Sequence, residues 1–229
     1  MSQIKVELQS FMGDDRSVSE AAWTSSLDYQ RKQARTDDDV KRVVEMLATA
    51  KHSVPFESVV LRFWMRIPIA IDRQLMTHRI ASHSGMSGRY RTMPDEYLNI
   101  PEDCADIINK MSPKTFDPIY EYHDHCDKAN SYYQIMMADF KASKDAGEIT
   151  NAEYKRLREF WRGILPQHNM TERVTVINLR SLANFLKLRL KPDAQPEIQY
   201  VAKLMLEQLK TKNVAPIAIE WLEKNDWNI

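Results

Sequence analysis

From Ser58 to Ile67 the chain alternates with a period of two: Leu61, Phe63, Met65 and Ile67 fall on one side, Val60, Arg62, Trp64 and Arg66 on the other. A half-buried strand needs that alternation, because successive side chains leave a pleated backbone on opposite faces. Pro68 stops the run, since it has no N–H for a strand ladder, and its fixed φ suits the first turn of a helix. The sheet this strand implies is surrounded by sequence of helical spacing. Val40, Val43, Val44 and Leu47 make one stripe over Asp37–Ala50, which opens on three aspartates. Helices are also predicted over Ile119–Lys144, Asn151–Trp161, Ser181–Leu190, Gln195–Lys210 and Ala215–Lys224. Further strands are expected over Ile4–Met12, ended by Gly13-Asp14-Asp15, and over Glu172–Leu179 around Val174 and Val176. Strands scattered among long helices give an α+β, or mixed α/β, domain rather than repeated βαβ units, and no linker divides residues 1–229.

Several local assignments follow from end signals. Ser17-Val18-Ser19-Glu20 has capping-box spacing, so a helix is expected from there to about Ser25, with Leu27–Thr36 a polar loop. After Pro68 a helix is expected from Ile69 to about Arg79, with Arg73, Gln74, Thr77 and His78 as a polar stripe, and Ile80–Gly88 a Ser- and Gly-bearing loop. Pro94, Pro101, Pro113 and Pro118 punctuate an irregular region.

Only five glycines occur, at 13, 85, 88, 147 and 163, and neither G-x-G-x-x-G nor a Walker A loop can be written with them. A bound nucleotide would have to be held by arginine forks and helix termini instead. Lys plus Arg and Asp plus Glu each number 32, so the formal net charge is zero and the basic excess of a general nucleic-acid binder is missing. The longest uncharged apolar run, Ile67–Ile71, is far too short for a membrane span, and no charged segment leads into an apolar core near Met1. Two cysteines, Cys104 and Cys126, cannot staple a domain of this size. A cytoplasmic protein with neither membrane nor nucleic-acid partner is expected.

Two segments concentrate chemistry. His78–Tyr90 gathers two arginines, two histidines, three serines and two glycines, a donor set suited to an anion. Asn178–Arg189 places Arg180, Asn184 and Leu188 four apart on one helix face, with Arg189 pointing off that line toward a different ligand or part of one. Taken singly, the first is a solvated loop and the second a helix with a basic end. His123-Asp124-His125-Cys126 is expected to be a surface patch, because its two histidines diverge on a helix and no second ligand pair has matching spacing, so no metal is assigned. His168 is a lone histidine, and neither cysteine shows a base that would make it a nucleophile.

Together the segments say more. Arg73-Gln74, His78-Arg79 and, seven residues on, Ser87-Gly88-Arg89-Tyr90 resemble the Arg-His-Arg, seven residues, Ser signature of the flavin-dependent thymidylate synthases. Gly13-Asp14-Asp15 with Ala21-Ala22 and Ser25, His52 with Pro55-Phe56-Glu57, Leu165-Pro166, Asn178-x-Arg180-Ser181-Leu182 and Asn184-Phe185-Leu186-x-Leu188-Arg189 follow in the family's order. The resemblance implies that family's single domain, with an antiparallel-rich sheet and long helices, and a homotetramer with shared active sites. It implies FAD as cofactor, NAD(P)H and methylenetetrahydrofolate as co-substrates, and transfer of a one-carbon unit to C5 of dUMP to make dTMP. On this resemblance Ser25, Glu57, His78, Arg79, Ile80, Asn178, Arg180, Asn184 and Leu188 would contact FAD. Gln74, Thr77, Gly85, Met86, Ser87, Gly88, Arg89, Tyr90, Arg162 and Arg189 would hold the nucleotide, and Arg189 would be the catalytic residue, favouring ionisation at N3 of the pyrimidine.

The chain departs from the family at points that bear on specificity. Thr77 stands for the first signature Arg, Ser84-Gly85 for an Asn-Glu pair, Trp23 for an Arg, Ser53 for a Glu and Asp193 for a His. Losing an Arg and a Glu while Ser87, Arg89 and Arg162 persist fits a site that keeps the nucleotide but treats the base or the one-carbon unit differently. The alternatives are a C5 methyl- or hydroxymethyltransferase acting on dUMP or dCMP, and a non-catalytic nucleotide-binding relative.

Overall fold

The computed structural model describes residues 1–112 and 115–228, so Pro113 lies outside the described residues. The chain divides into two compact units, a larger one of residues 4–65, 73–84 and 173–229 and a smaller one of residues 1–3, 66–72 and 85–172. Its architecture is mixed α/β, as the spacing predicts, with a four-stranded antiparallel sheet, as the family resemblance implies.

Most of the sheet belongs to the larger unit. Strands β1 (Lys5–Met12), β2 (Val60–Pro68), β3 (Ser82–Gly85) and β4 (Met170–Asn178) lie in the order β1-β2-β4-β3. On β2 Leu61, Phe63 and Met65 are fully buried while Arg62 is exposed, so the predicted alternation sets the register. On β4 the buried positions are Met170, Thr171, Arg173, Thr175 and Ile177, and the two valines read as its core are only half-buried. The expected loop at Ile80–Gly88 instead contains β3, whose His83 Nδ1 lies 3.1 Å from Thr175 Oγ1.

Helices α1 (Asp15–Trp23), α2 (Tyr29–Gln33) and α3 (Asp37–Thr49) follow β1 in the same unit. Asp14, not Ser17, caps α1: its carboxylate accepts from Ser17 N at 2.8 Å, and the Ser17 hydroxyl, as the third helical residue, accepts from Asp14 N in return. Gly13 turns the chain ahead of it at φ +87°, and a Cβ there would stand 2.5 Å from the Ser58 carbonyl oxygen, so glycine is required twice over. Asp28 caps the short α2 inside the stretch expected to be loop. The helix after Pro68, α4 (Ile69–Leu75), ends four residues before the expected Arg79, so Thr77 and His78 lie beyond it and form no stripe with Arg73 and Gln74.

In the smaller unit α5 (Glu102–Lys110), which the proline punctuation obscures, precedes the long α6 (Pro118–Asp145) and α7 (Asn151–Trp161). Its core is Met93, Tyr133, Met137 and Leu165, joined by Met86, Phe140 and Trp161. Asn130 and Asn169 exchange side-chain amide bonds in its interior. His123 and His168 are drawn into tyrosine contacts rather than left as patches: Tyr97 Oη lies 3.1 Å from His123 Nδ1 and Tyr122 Oη 3.0 Å from His168 Nδ1.

The larger unit closes with α8 (Leu179–Arg189), α9 (Pro196–Thr211) and α10 (Pro216–Lys224). Leu182, Phe185 and Leu186 of α8 and Ile198, Val201 and Met205 of α9 are buried at helical spacing; each such side chain contributes about 2 kcal/mol of transfer free energy. Asp15 anchors α10, its carboxylate accepting from Ile217 N and Ala218 N at 2.9 Å each. Among the described residues no helix is long and apolar enough to cross a membrane.

Candidate active site

In the larger unit the chain between α4 and β3 and one face of α8 enclose a cleft of about 630 Å3, a size suited to a cofactor. Thr77, His78, Arg79 and Ile80 form one wall. Ile177 of β4 and Arg180, Ser181, Asn184, Leu188 and Arg189 of α8 form the other. Arg180, Asn184 and Leu188 share a face as their four-residue spacing dictates. Arg189 lines the same cleft while standing off that line. At about 100° per residue it stands about 80° round the helix from Ser181, another wall residue, and its long side chain spans that arc.

Internal bonds fix two of the cleft's arginines and the start of α8. Asn178 caps α8, its side-chain oxygen accepting from Ser181 N at 2.8 Å. Arg180 Nη1 donates to Glu57 Oε1 at 2.6 Å, which orients the guanidinium at the entrance to α8. Arg189 Nε donates to His78 Nε2 at 3.1 Å. A guanidinium has no lone pair to offer, so His78 Nε2 must be the acceptor and Nδ1 the protonated nitrogen. Burial holds the His78 imidazole below its ordinary value, and the cationic Arg189 and then His83 push the same way, so it is neutral at pH 7. The His78 ring also meets Phe185 edge-on at 4.8 Å between centroids. Among the described residues no carboxylate reaches Arg79.

At the cleft's edge Thr77 donates its hydroxyl to the Gln74 carbonyl at 2.7 Å, and outside the cleft Gln74 Nε2 donates to Gln195 Oε1 at 2.7 Å while its own side-chain oxygen is buried without a partner. Ser25 lines a second cavity of about 620 Å3, with Trp23, Met46, Leu47, His52 and Pro55 among its walls, and donates to the Ala22 carbonyl.

In the smaller unit the loop Gly85–Arg91 is tied down at both ends. Met86 N donates to the Glu172 carbonyl at 2.8 Å, and Arg91 Nη1 to the Glu172 carboxylate at 3.3 Å. The Ser87 carbonyl accepts from both Tyr90 N and Arg91 N, and its hydroxyl from Arg89 N, so the loop is one tight turn. Gly88 lets Arg162 approach: a Cβ there would be 2.9 Å from Arg162 Cδ. Arg89 Nε pairs with Glu159 at 2.5 Å, and its guanidinium lies 5.8 Å from the centroid of the largely exposed Tyr90 ring. Of the residues expected here from the sequence, Arg89 meets Glu159 and Gly88 meets Arg162; Glu159 and the buried Arg158, both on α7, are not among those expected.

The larger unit's cleft fits a flavin on its donor set. Cationic Arg79, Arg180 and Arg189 suit a diphosphate, Ser181 and Asn184 supply hydroxyl and amide contacts, and Ile80, Ile177 and Leu188 supply apolar surface for a ring system.

The family described as thymidylate synthase complementing protein matches residues 7–217. The flavin-dependent thymidylate synthase of Kosmotoga olearia is 33% identical over 223 residues, covering 94% of this chain and 88% of its own. That of Pseudothermotoga lettingae is 30% identical over 206 residues, covering 90% and 85%. Among solved structures, the UMP/dUMP methylase PolB from Streptomyces cacaoi bound with 5-Br dUMP matches with a TM-score of 0.70 at 25% identity, over 96% of this chain and 95% of that one. A match over most of the length and at this identity leaves one assignment: the chain is an enzyme of the flavin-dependent thymidylate synthase family.

Proposed function

We propose that the chain transfers a one-carbon unit from methylenetetrahydrofolate to C5 of dUMP, making dTMP, with FAD as cofactor and NAD(P)H as reductant. The observation that carries this reading is the larger unit's cleft, where Arg79, Arg180, Asn184, Leu188 and Arg189 converge with His78 and Ile80. Bound there, FAD supplies the redox chemistry of the reaction. Arg79 and Arg180 would hold its phosphates, Glu57 and Asn178 would keep Arg180 and the start of α8 in place, and Ser25 would add a contact from its own cavity wall.

The nucleotide's phosphate is assigned to the smaller unit's loop, where Ser87, Gly88, Arg89, Tyr90 and Arg162 present donors beside Gly85 and Met86. Gln74 and Thr77 are assigned to the nucleotide as well. Thr77 spends its hydroxyl on the Gln74 carbonyl, and so stiffens the turn that presents His78. Arg189 acts on the pyrimidine: a guanidinium held by a neutral imidazole keeps its full charge, and stabilises the anion that forms when N3 loses its proton. The carriers of the chemistry are therefore oriented cations, with no protein nucleophile. A homotetramer and a cytoplasmic location complete the proposal, and residues 1–229 act as one functional domain.

The test is an anaerobic incubation of the FAD-loaded protein with methylenetetrahydrofolate, NADPH and either dUMP, UMP or dCMP, with products read by mass. The expected result is a methyl gain on dUMP. A hydroxymethyl gain, or a gain on dCMP alone, would replace this reading with the divergent transferase. Flavin-loaded protein that turns over none of them would leave a binding role.

A further inference from the structure

Arg158 of α7 is 8% exposed, yet two of its three guanidinium nitrogens, Nε and Nη2, have no hydrogen-bond partner. Nη1 alone is bonded, to the Tyr154 hydroxyl at 3.3 Å, and the guanidinium carbon lies 5.4 Å from the Tyr154 ring centroid. A guanidinium stays charged under all conditions the fold survives, so it cannot relieve its burial by losing a proton. A buried cation with a free edge calls for an anion.

Helix geometry locates that edge. At about 100° per residue, and with Arg158 at the origin, Arg162 falls at about 40°, Glu159 at about 100° and Trp161 about 60° to the opposite side. The helical path holds through Arg162, whose N–H still donates to the Arg158 carbonyl. Trp161 packs into the core with Phe140. Glu159 grips Arg89, and Arg162 lies against Gly88. The Ser87–Tyr90 loop thus sits over the arc from Arg162 to Glu159, and Arg158 occupies the seam between that arc and the apolar core. Nε and Nη2 form the side edge of the fork, the pair that matches two oxygens of a phosphate.

We infer that Arg158 is the inner member of a two-arginine phosphate clamp, with Arg162 as the outer one, and that the 5′-phosphate of the nucleotide supplies the acceptors Nε and Nη2 lack. The inference rests on the assignment of the Ser87–Tyr90 loop to the nucleotide, and adds a buried anchor to it. Both arginines then meet one dianion, which explains why α7 and its C-cap carry two like charges four residues apart on one face, with no carboxylate on either among the described residues.

The experiment measures dUMP turnover, the thermal shift induced by dUMP and competition by inorganic phosphate, for the wild-type protein, Arg158→Gln and Arg158→Lys, each saturated with FAD. Arg158→Gln is expected to raise KM for dUMP by about tenfold or more, to leave kcat at saturating dUMP within about threefold, and to lose most of the thermal shift. Arg158→Lys keeps the charge without the side-on fork and is expected to fall between; it carries the test if Arg158→Gln does not fold. Inorganic phosphate should compete with dUMP less well in both variants than in the wild type. A KM within about twofold of wild type, with the thermal shift intact, overturns the clamp. So does an altered assembly mass by light scattering with KM unchanged, which would make the missing acceptor a carboxylate of a second copy. Wild-type protein that itself ignores dUMP overturns the nucleotide assignment, and the clamp with it.

Discussion

In the larger unit the arginines of α8 come with partners: Arg180 holds Glu57 at 2.6 Å and Arg189 holds His78 at 3.1 Å. In the smaller unit Arg158 leaves two nitrogens unbonded in the interior, and among the described residues no carboxylate reaches Arg162. Both regions are rich in cations, but they are prepared for different events. A partnered guanidinium has its plane fixed before any ligand arrives, which suits a group that must be oriented for chemistry. An unpartnered one gains most when an anion arrives, which suits a group whose task is affinity. Fixed charge in the first region should therefore show in kcat, and open charge in the second in KM.

The largest expected effect tests the first half of that contrast. Arg189→Ala removes the oriented cation, and kcat should fall by about 100- to 1000-fold, as when one transition-state donor is lost, while excess FAD fails to restore it. Recovery with FAD would make Arg189 a cofactor anchor only. The second half is tested by Gly88→Ala, whose methyl would press on Arg162 Cδ from 2.9 Å and shift the guanidinium. KM for dUMP should rise by about tenfold, with kcat and flavin content unchanged. A fall in kcat with KM unmoved would erase the distinction between the regions. Glu57→Gln is milder, because the Arg180 pair is exposed on both sides and such pairs contribute under about 1 kcal/mol. It should weaken FAD retention by a few-fold, read as flavin absorbance per protein after gel filtration.

The same contrast explains what can be read from the sequence. The α8 side of the cleft is legible because Arg180, Asn184 and Leu188 repeat at helical spacing, and spacing survives folding. The strand Val60–Pro68 is legible for the same reason. Termini and burial are not. The helix after Pro68 stops at Leu75, so the stripe drawn through Thr77 and His78 does not exist, and the two join the cleft as chain beyond the helix end. The serine- and glycine-bearing segment forms β3 because sheet partners, unseen in a local window, outweigh its weak strand propensity. Arg158 reads as one more helix-surface arginine, since nothing in spacing separates a solvated cation from one in the seam beside a tryptophan. Partnering is a long-range property: Glu57 meets Arg180 across 123 residues, and His78 meets Arg189 across 111.

The smallest effect sharpens the comparison most, because it concerns one proton. His78 is held below its ordinary value by burial, then by Arg189 and His83, whereas in the unfolded chain it titrates near 6.5. Between those two values the unfolded state binds more protons, so this group's contribution to stability is full above about 6.5 and is lost as pH falls through the folded value. Protonation also converts the acceptor Nε2 into a donor and sets two cations side by side, so Arg189 must swing away. The kcat profile should accordingly have an acid limb that follows the His78 titration. His78→Gln offers a side-chain oxygen that accepts from Arg189 without titrating, and it should flatten that limb while keeping most of the neutral-pH rate. Arg189→Ala should let the His78 titration, followed by NMR, move up toward 6.5, since one of the cations that depress it is gone. An acid limb that persists in His78→Gln would mean that Arg189 keeps its orientation without the imidazole. Arg189 would then be as open as Arg158 and Arg162, and the difference in how the two regions spend their charge would have to come from the ligands alone.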